Sequence, residues 1–169
     1  GNVIVADFYT SATRTYWIRA IDTYGNTGTA VSTTFEIQSP GTPTAITTTK
    51  SDGGVVIKWT APTVGANQLP ITDYEIRYGV DWATGTLVGI AKTTTITHSF
   101  FNASERFYFI KARDIVGNET ATAGIESFTI QNPAPVTGAT ITINEEDALL
   151  TFSEVVPGAN QLPISEYEI

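Results

Sequence analysis

The chain has 169 residues, of which 41% are hydrophobic and only 15% charged, with a net charge of −8, no Cys, no Met and a single His. Disulfides and thiolate chemistry are thereby excluded, no second His or any Cys exists to complete a zinc site with His98, and nucleic acid is an unsuitable partner because its phosphates call for clustered Lys and Arg. The nine basic residues lie scattered between Arg14 and Arg113, no apolar run approaches the ~20 residues that span a bilayer, and no signal-peptide pattern opens the chain.

The first patterned stretch is Tyr16-Trp17-Ile18-Arg19-Ala20-Ile21-Asp22, followed by Gly25-Asn26: an alternating strand closed by a tight turn. A joint with two prolines comes next, Ile37-Gln38-Ser39-Pro40-Gly41-Thr42-Pro43. Proline fixes φ and limits bending there. Period-2 alternation then dominates. A strand is expected at Thr44–Lys50. Val55, Ile57 and Trp59 alternate with Val56 and Lys58, and Tyr74, Ile76 and Tyr78 with Glu75 and Arg77. Further strands are expected at Leu87–Lys92, Thr93–Phe100 and Ala121–Ile130. Between them, Tyr108, Ile110 and Ala112 alternate with Phe109, Lys111 and Arg113. Each alternating run should bury one face and wet the other. Breaks fall at Ser51-Asp52-Gly53-Gly54, from Pro62 to Pro70, and at Asp114-Ile115-Val116-Gly117-Asn118. A second two-proline joint, Ile130-Gln131-Asn132-Pro133-Ala134-Pro135, leads into the last stretch.

These stretches repeat. Gly65-Ala66-Asn67-Gln68-Leu69-Pro70-Ile71 recurs letter for letter at Gly158 to Ile164, an offset of 93 (158 − 65). Tyr74-Glu75-Ile76 recurs as Tyr167-Glu168-Ile169, and Trp59 corresponds to Phe152, both at that offset. The run from Tyr16 to Asp22 matches Tyr108 to Asp114 at an offset of 92 (114 − 22). A unit of this length suits an independent domain. The chain divides into the back half of one repeat (1–38), a complete repeat (39–131) and the front half of a third (132–169). The missing initiator Met and an end inside an apparent strand suggest a piece of something longer.

About seven short strands per repeat, with regular turn signals, indicate an all-β sandwich. Val-Ile-Lys-Trp59-Thr-Ala-Pro, Ile71 to Tyr78 and Tyr108 to Ala112 resemble the B, C and F strands of fibronectin type III domains, an immunoglobulin-like fold, with Phe152 as an aromatic swap for the core Trp. The ending Ala-(Ile/Arg)-Asp-x-x-Gly-Asn, at Ala20 to Asn26 and Ala112 to Asn118, resembles the fibronectin-like modules of bacteriophage central tail fibre and tail-tip attachment (host-specificity) proteins. That resemblance implies a homotrimer built into the virion beside other tail proteins, extending toward the host surface, with receptor contact outside this segment. Spacer modules of a secreted bacterial hydrolase, or of a cell-surface adhesin, are the alternatives.

No residues form a catalytic set, and neither enzymatic activity nor a cofactor is expected. His98 has no partner motif for acid–base work and is expected on the polar face of its strand. The Asp22–Asn26 and Asp114–Asn118 segments offer too few oxygens for calcium and are expected to be turns capped by the Asp side chain. Glu145-Glu146-Asp147 reads as a solvated hairpin tip. Asn102-Ala103-Ser104 and Asn118-Glu119-Thr120 fit the glycosylation sequon, and no Arg-Gly-Asp is present. Trp17 and Phe109 fall on the face opposite Tyr16 and Tyr108. An outward aromatic at the same place in two repeats is explained either by stacking on a neighbouring Arg or Lys stem or by a contact with another chain or domain.

Overall fold

The alternation of β-branched and aromatic with polar residues becomes strands in the computed structural model, which describes residues 3–5 and 10–169. Among the described residues every regular element is a strand: β1 (Thr13–Ile18), β2 (Val31–Glu36), β3 (Thr44–Ser51), β4 (Gly54–Thr60), β5 (Ile71–Tyr78), β6 (Thr86–Ala91), β7 (Thr95–His98), β8 (Glu105–Asp114), β9 (Gly124–Thr129), β10 (Thr137–Asn144) and β11 (Asp147–Ser153).

The complete repeat holds β3 to β9. They form a three-stranded sheet, β3-β4-β7, and a four-stranded one, β6-β5-β8-β9, with every pair antiparallel. This is a β-sandwich of the fibronectin type III kind. Its core is the set of residues that the alternation placed inward: Val55, Ile57 and Trp59 from β4, Tyr74 and Ile76 from β5, and Tyr108, Ile110 and Ala112 from β8, closed by Phe100, Phe128 and Ile130. Each large apolar side chain buried in this way contributes about 1.5–3 kcal/mol. Trp59 and Tyr74 meet edge to face at 5.2 Å, and the Trp59 indole N–H is buried without a hydrogen-bond partner. Phe152 at the corresponding place in the third repeat has no such group to satisfy.

The flanking half-repeats are two-stranded hairpins, β1-β2 and β10-β11. The β10-β11 tip falls at Glu145 and Glu146, both exposed, as the solvated-tip reading expected. The β3-β4 turn ends on Gly54 (φ +123°), where a Cβ would overlap the His98 carbonyl; only glycine lets the backbones approach so closely.

Two expectations need correction. His98 does not lie on the polar face. It shares the inward parity of Ile96 and is half-buried among Tyr78, Phe100 and Tyr108. Its Nδ1 is 3.0 Å from the Tyr108 hydroxyl. Burial, and after it the nearby Arg106 cation, push the His98 pKa down, while burial raises that of Tyr108 to about 12. The phenol therefore keeps its proton and the imidazole is neutral, the two sharing one hydrogen bond at Nδ1. The last strand of the repeat also begins later than expected, at Gly124 instead of Ala121. The Thr120 hydroxyl just before it accepts from the Ala112 N–H and donates to the Gly41 carbonyl, both at 3.0 Å. That holds the preceding residues in a loop.

Candidate functional site at the joints between repeats

The seven-residue identity lies in the loop between β4 and β5 and in its counterpart after β11. Both copies do the same thing: each grips the chain arriving from the preceding repeat. At the first joint the Gln38 N–H donates to the Asn67 carbonyl (2.8 Å), and Gln68 Nε2 donates to the Ser39 carbonyl (2.7 Å). Gln68 Oε1 in turn accepts from the Gly65 N–H at 2.8 Å, which fixes the loop around its own side chain. At the second joint the Gln131 N–H donates to the Asn160 carbonyl (2.9 Å), Gln161 Nε2 to the Asn132 carbonyl (2.6 Å), and the Gly158 N–H to Gln161 Oε1 (2.8 Å). Parallel bridges Gln38 to Gln68 and Gln131 to Gln161 complete the correspondence. A glutamine fits because its amide carries a donor at one end and an acceptor at the other.

Apolar contacts back up these bonds. Ile37 and Ile130 are buried at the exits of their repeats, and Leu162 of the second clamp packs against the core of the complete repeat. Pro40 and Pro43 are buried in the first joint, whereas Pro133 and Pro135 are exposed in the second. Thr120 and the turn after β8 cover the first.

That turn is the Asp-x-x-Gly-Asn segment. Asp114 is only 2% exposed, and its carboxylate accepts from Val116 N (3.0 Å), Asn118 N (2.9 Å) and Asn118 Nδ2 (2.7 Å). Asp22 makes the equivalent bonds to Tyr24 N, Asn26 N and Asn26 Nδ2. The Asn26 amide, ahead of the backbone N–H groups, holds the Asp22 carboxyl below its usual value. Gly25 and Gly117 sit at φ +88° and +89°, where other residues are strained. These are the Asp-capped turns expected from the sequence. Asn118 goes further: its Oδ1 accepts from the Ser11 N–H at 3.0 Å, across the joint. The Ile115 N–H donates to the Pro70 carbonyl at 3.0 Å, tying turn to clamp loop. Both recurrent motifs therefore meet at one junction, a role that their recurrence alone did not reveal.

The two outer-face aromatics fare differently. Trp17 is 70% exposed but Phe109 only 6%. In the complete repeat Phe109 stands opposite Arg77 on β5, and Trp82, from the loop before β6, lies against the cations of Arg77 (5.1 Å) and Lys111 (4.9 Å). This cation–aromatic cover closes over the face that holds Phe109. Phe109 thus offers little surface for a contact outside its own domain, and Trp82 is the residue that sequence patterning passed over. Alongside runs a chain of ion pairs, Arg77–Glu75 (2.6 Å), Glu75–Arg113 (3.4 Å) and Arg113–Asp73 (2.6 Å). The Asp73 carboxylate, chiefly through its hydrogen bond, raises the Arg113 pKa. Among the described residues no three His, Cys, Asp or Glu side chains gather as metal ligands, and no helix is long and apolar enough to cross a membrane.

No family model matches the chain, and no curated protein does. Solved structures similar to it include the spore cortex lytic enzyme SleM of Clostridium perfringens, 17% identical over 54% of this chain and 29% of that one, TM-score 0.45. Titin domains are 19% identical over 60% of this chain and 37% of theirs, TM-score 0.46. Domains d3–d4 of the rat CD45 extracellular region are 12% identical over 76% and 69%, TM-score 0.45. The alignments span well under two thirds of the SleM and titin chains. The class is defined by strand topology: tandem sandwiches of the fibronectin type III kind, joined by sequence-encoded clamps.

Proposed function

We propose that the chain is a non-catalytic spacer whose joints are locked, so that each repeat adds a fixed increment of reach. The observation that carries this reading is the duplication of the glutamine clamp, bond for bond, at both joints. A flexible tether needs no such device, since Gly/Ser linkers serve that role without contacts. Small-angle scattering tests it. The Gln68→Ala, Gln161→Ala double variant should show a broader distribution of maximal dimensions than the parent, and identical curves would refute the locking role.

As the setting for this spacer we propose a long-tailed phage tail tip or central tail fibre, extending toward the host surface. The support is the resemblance carried by Ala20 to Asn26 and Ala112 to Asn118. On this reading the full-length protein is a virion-borne trimer beside other tail proteins, and receptor contact lies outside the segment. Trp17 and Phe109 are the candidate inter-chain or inter-domain contacts of this reading, and Phe109 is only 6% exposed within the complete repeat. Immunogold labelling with antibodies against residues 39–131 should mark the tail tip of particles. Unlabelled particles, with the epitope instead in a secreted hydrolase fraction or on a bacterial surface, would overturn the assignment.

A further inference from the structure

His98 is the one histidine of the chain, and the preceding repeat has none at its place. At an offset of 92, Tyr16 stands for Tyr108, Arg14 for Arg106 and Phe8 for Phe100, while Ala6 stands for His98 (98 − 6 = 92). The imidazole is therefore an addition to a cluster whose other members recur. It faces the Tyr78 phenol of β5, the Arg106 guanidinium and Tyr108 phenol of β8, and the Phe100 ring just after β7. From β4 it meets Val55, its register partner, which carries no charge. Two of these rings already serve a cation: Arg106 lies 4.3 Å from the centre of Tyr78 and 4.1 Å from that of Phe100. Among the described residues no carboxylate forms an ion pair with His98 or Arg106. A proton on the imidazole places a second positive charge there with nothing to balance it.

A short path leads from this cluster to the second joint. Phe100, 2% exposed, anchors the loop of residues 99–104. At the end of that loop the Ser104 carbonyl accepts from the Ile130 N–H (3.2 Å), and the next residue, Gln131, donates to the Asn160 carbonyl (2.9 Å). The first joint has the same tie, from the Ile37 N–H to the Ala12 carbonyl (3.3 Å), with no histidine behind it. Toward β4 the cluster cannot yield, because the backbone of residues 98–100 lies so close to Gly54 that a Cβ there would overlap it. A packed core passes such strain on to whatever can move. Here that is Phe100 and the loop it anchors.

We propose that acid loosens the second joint and not the first, with protonation of His98 as the trigger. This rests on the clamp reading above and adds a condition under which one lock opens. Burial, and after it Arg106, disfavour the imidazolium in the closed structure. The proton is taken up more readily once the loop has moved away, so falling pH favours the open joint. The spacer is then locked at both joints at neutral pH and hinged at a single place in acid.

Amide hydrogen exchange of the 169-residue chain from pH 7 to pH 5, with protection taken relative to the free amide at each pH, tests this. The Gln131 N–H should lose protection below pH 6.5, the ordinary histidine value, with the midpoint at which the ring signals of the one histidine titrate. The Gln38 N–H should keep its protection. His98→Gln should hold Gln131 level across the range, and so should His98→Ala, which copies the preceding repeat and serves if the glutamine is not accommodated. Parallel loss at Gln38 and Gln131, or loss that persists in the variants, would overturn the proposal. So would Gln131 protection that stays constant to pH 5; if the β5 and β8 amides decline meanwhile, the proton is felt by global unfolding alone. Any of these failures leaves the clamp standing, since the clamp is tested by the glutamine variants at pH 7.

Discussion

Replacing Gln68 by Ala isolates the clamp from the sandwich. The change removes the Nε2 bond to the Ser39 carbonyl and the Oε1 bond from the Gly65 N–H, at 2.7 and 2.8 Å. A net value of about 0.5–1.5 kcal/mol per neutral bond sums to roughly 1–2 kcal/mol, lowered where water replaces the partner. The loss falls on the joint, since neither bond involves a strand of the core. Opening of the joint should become about tenfold more frequent, 1.4 kcal/mol being a factor of ten. Amide hydrogen exchange reads this directly. The Gln38 N–H, bonded to the Asn67 carbonyl, should lose about tenfold protection, while amides of β5 and β8 keep theirs. Gln161→Ala should do the same to the Gln131 N–H. If Gln38 exchange does not change, the side chain does not lock the joint. Equal loss throughout β5 and β8 would mean that Gln68 supports the domain instead, and the reasoning fails.

Four other outcomes follow from the geometry. Asp114→Ala should destabilise the complete repeat by about 3 kcal/mol in a thermal melt, because charge-assisted bonds are worth roughly 1.5–3 kcal/mol each and the turn N–H groups lose their acceptor; Asp22→Ala should leave that melt unchanged. His98, whose folded pKa is depressed below 6.5, binds its proton more readily in the unfolded chain. Stability is therefore full above that value and falls as pH drops through it toward the lower folded pKa; urea midpoints measured from pH 7 to pH 5 should decline, and His98→Gln should flatten the decline. Trp82→Ala should cost about 1–2 kcal/mol in urea denaturation through two lost cation–aromatic contacts and the uncovering of the outer face. Trp59→Phe should cost less than about 1.5 kcal/mol on the same assay, because Phe keeps much of the ring packing and removes a buried N–H that has no partner.

The core was legible because a strand has a two-residue period, and Val55, Ile57 and Trp59 can satisfy it only by facing one way. His98 was legible too: Thr-Ile-Thr-His puts it on the side of Ile96, and its polarity alone misdirected the reading outward. Phe109 was placed on the correct face, but Trp82, which lies against the Arg77 and Lys111 cations of that face, is a loop residue that no periodicity ties to β8. The clamp was visible as an identity and silent as to purpose. Its bonds run mostly to backbone carbonyls, Ser39 and Asn132 among them, and a carbonyl acceptor leaves no trace in residue type. Loops ordinarily vary more than strands, so seven identical letters in a loop were the available signal that something besides the turn was being specified.

The placement of each clamp also bears on how such a chain can change length. Asn67 and Asn160, in the loops that also carry Gln68 and Gln161, belong to the repeat that follows a joint, yet their carbonyls accept from Gln38 and Gln131, the last residues of the repeat before it. A repeat thus brings its own fastening at its leading end, and what it fastens is chiefly main chain. Copying or deleting one such unit leaves every remaining junction with its lock in place, whichever neighbour it now meets. Length can then change in whole repeats through recombination alone, without compensating substitutions on a partner surface.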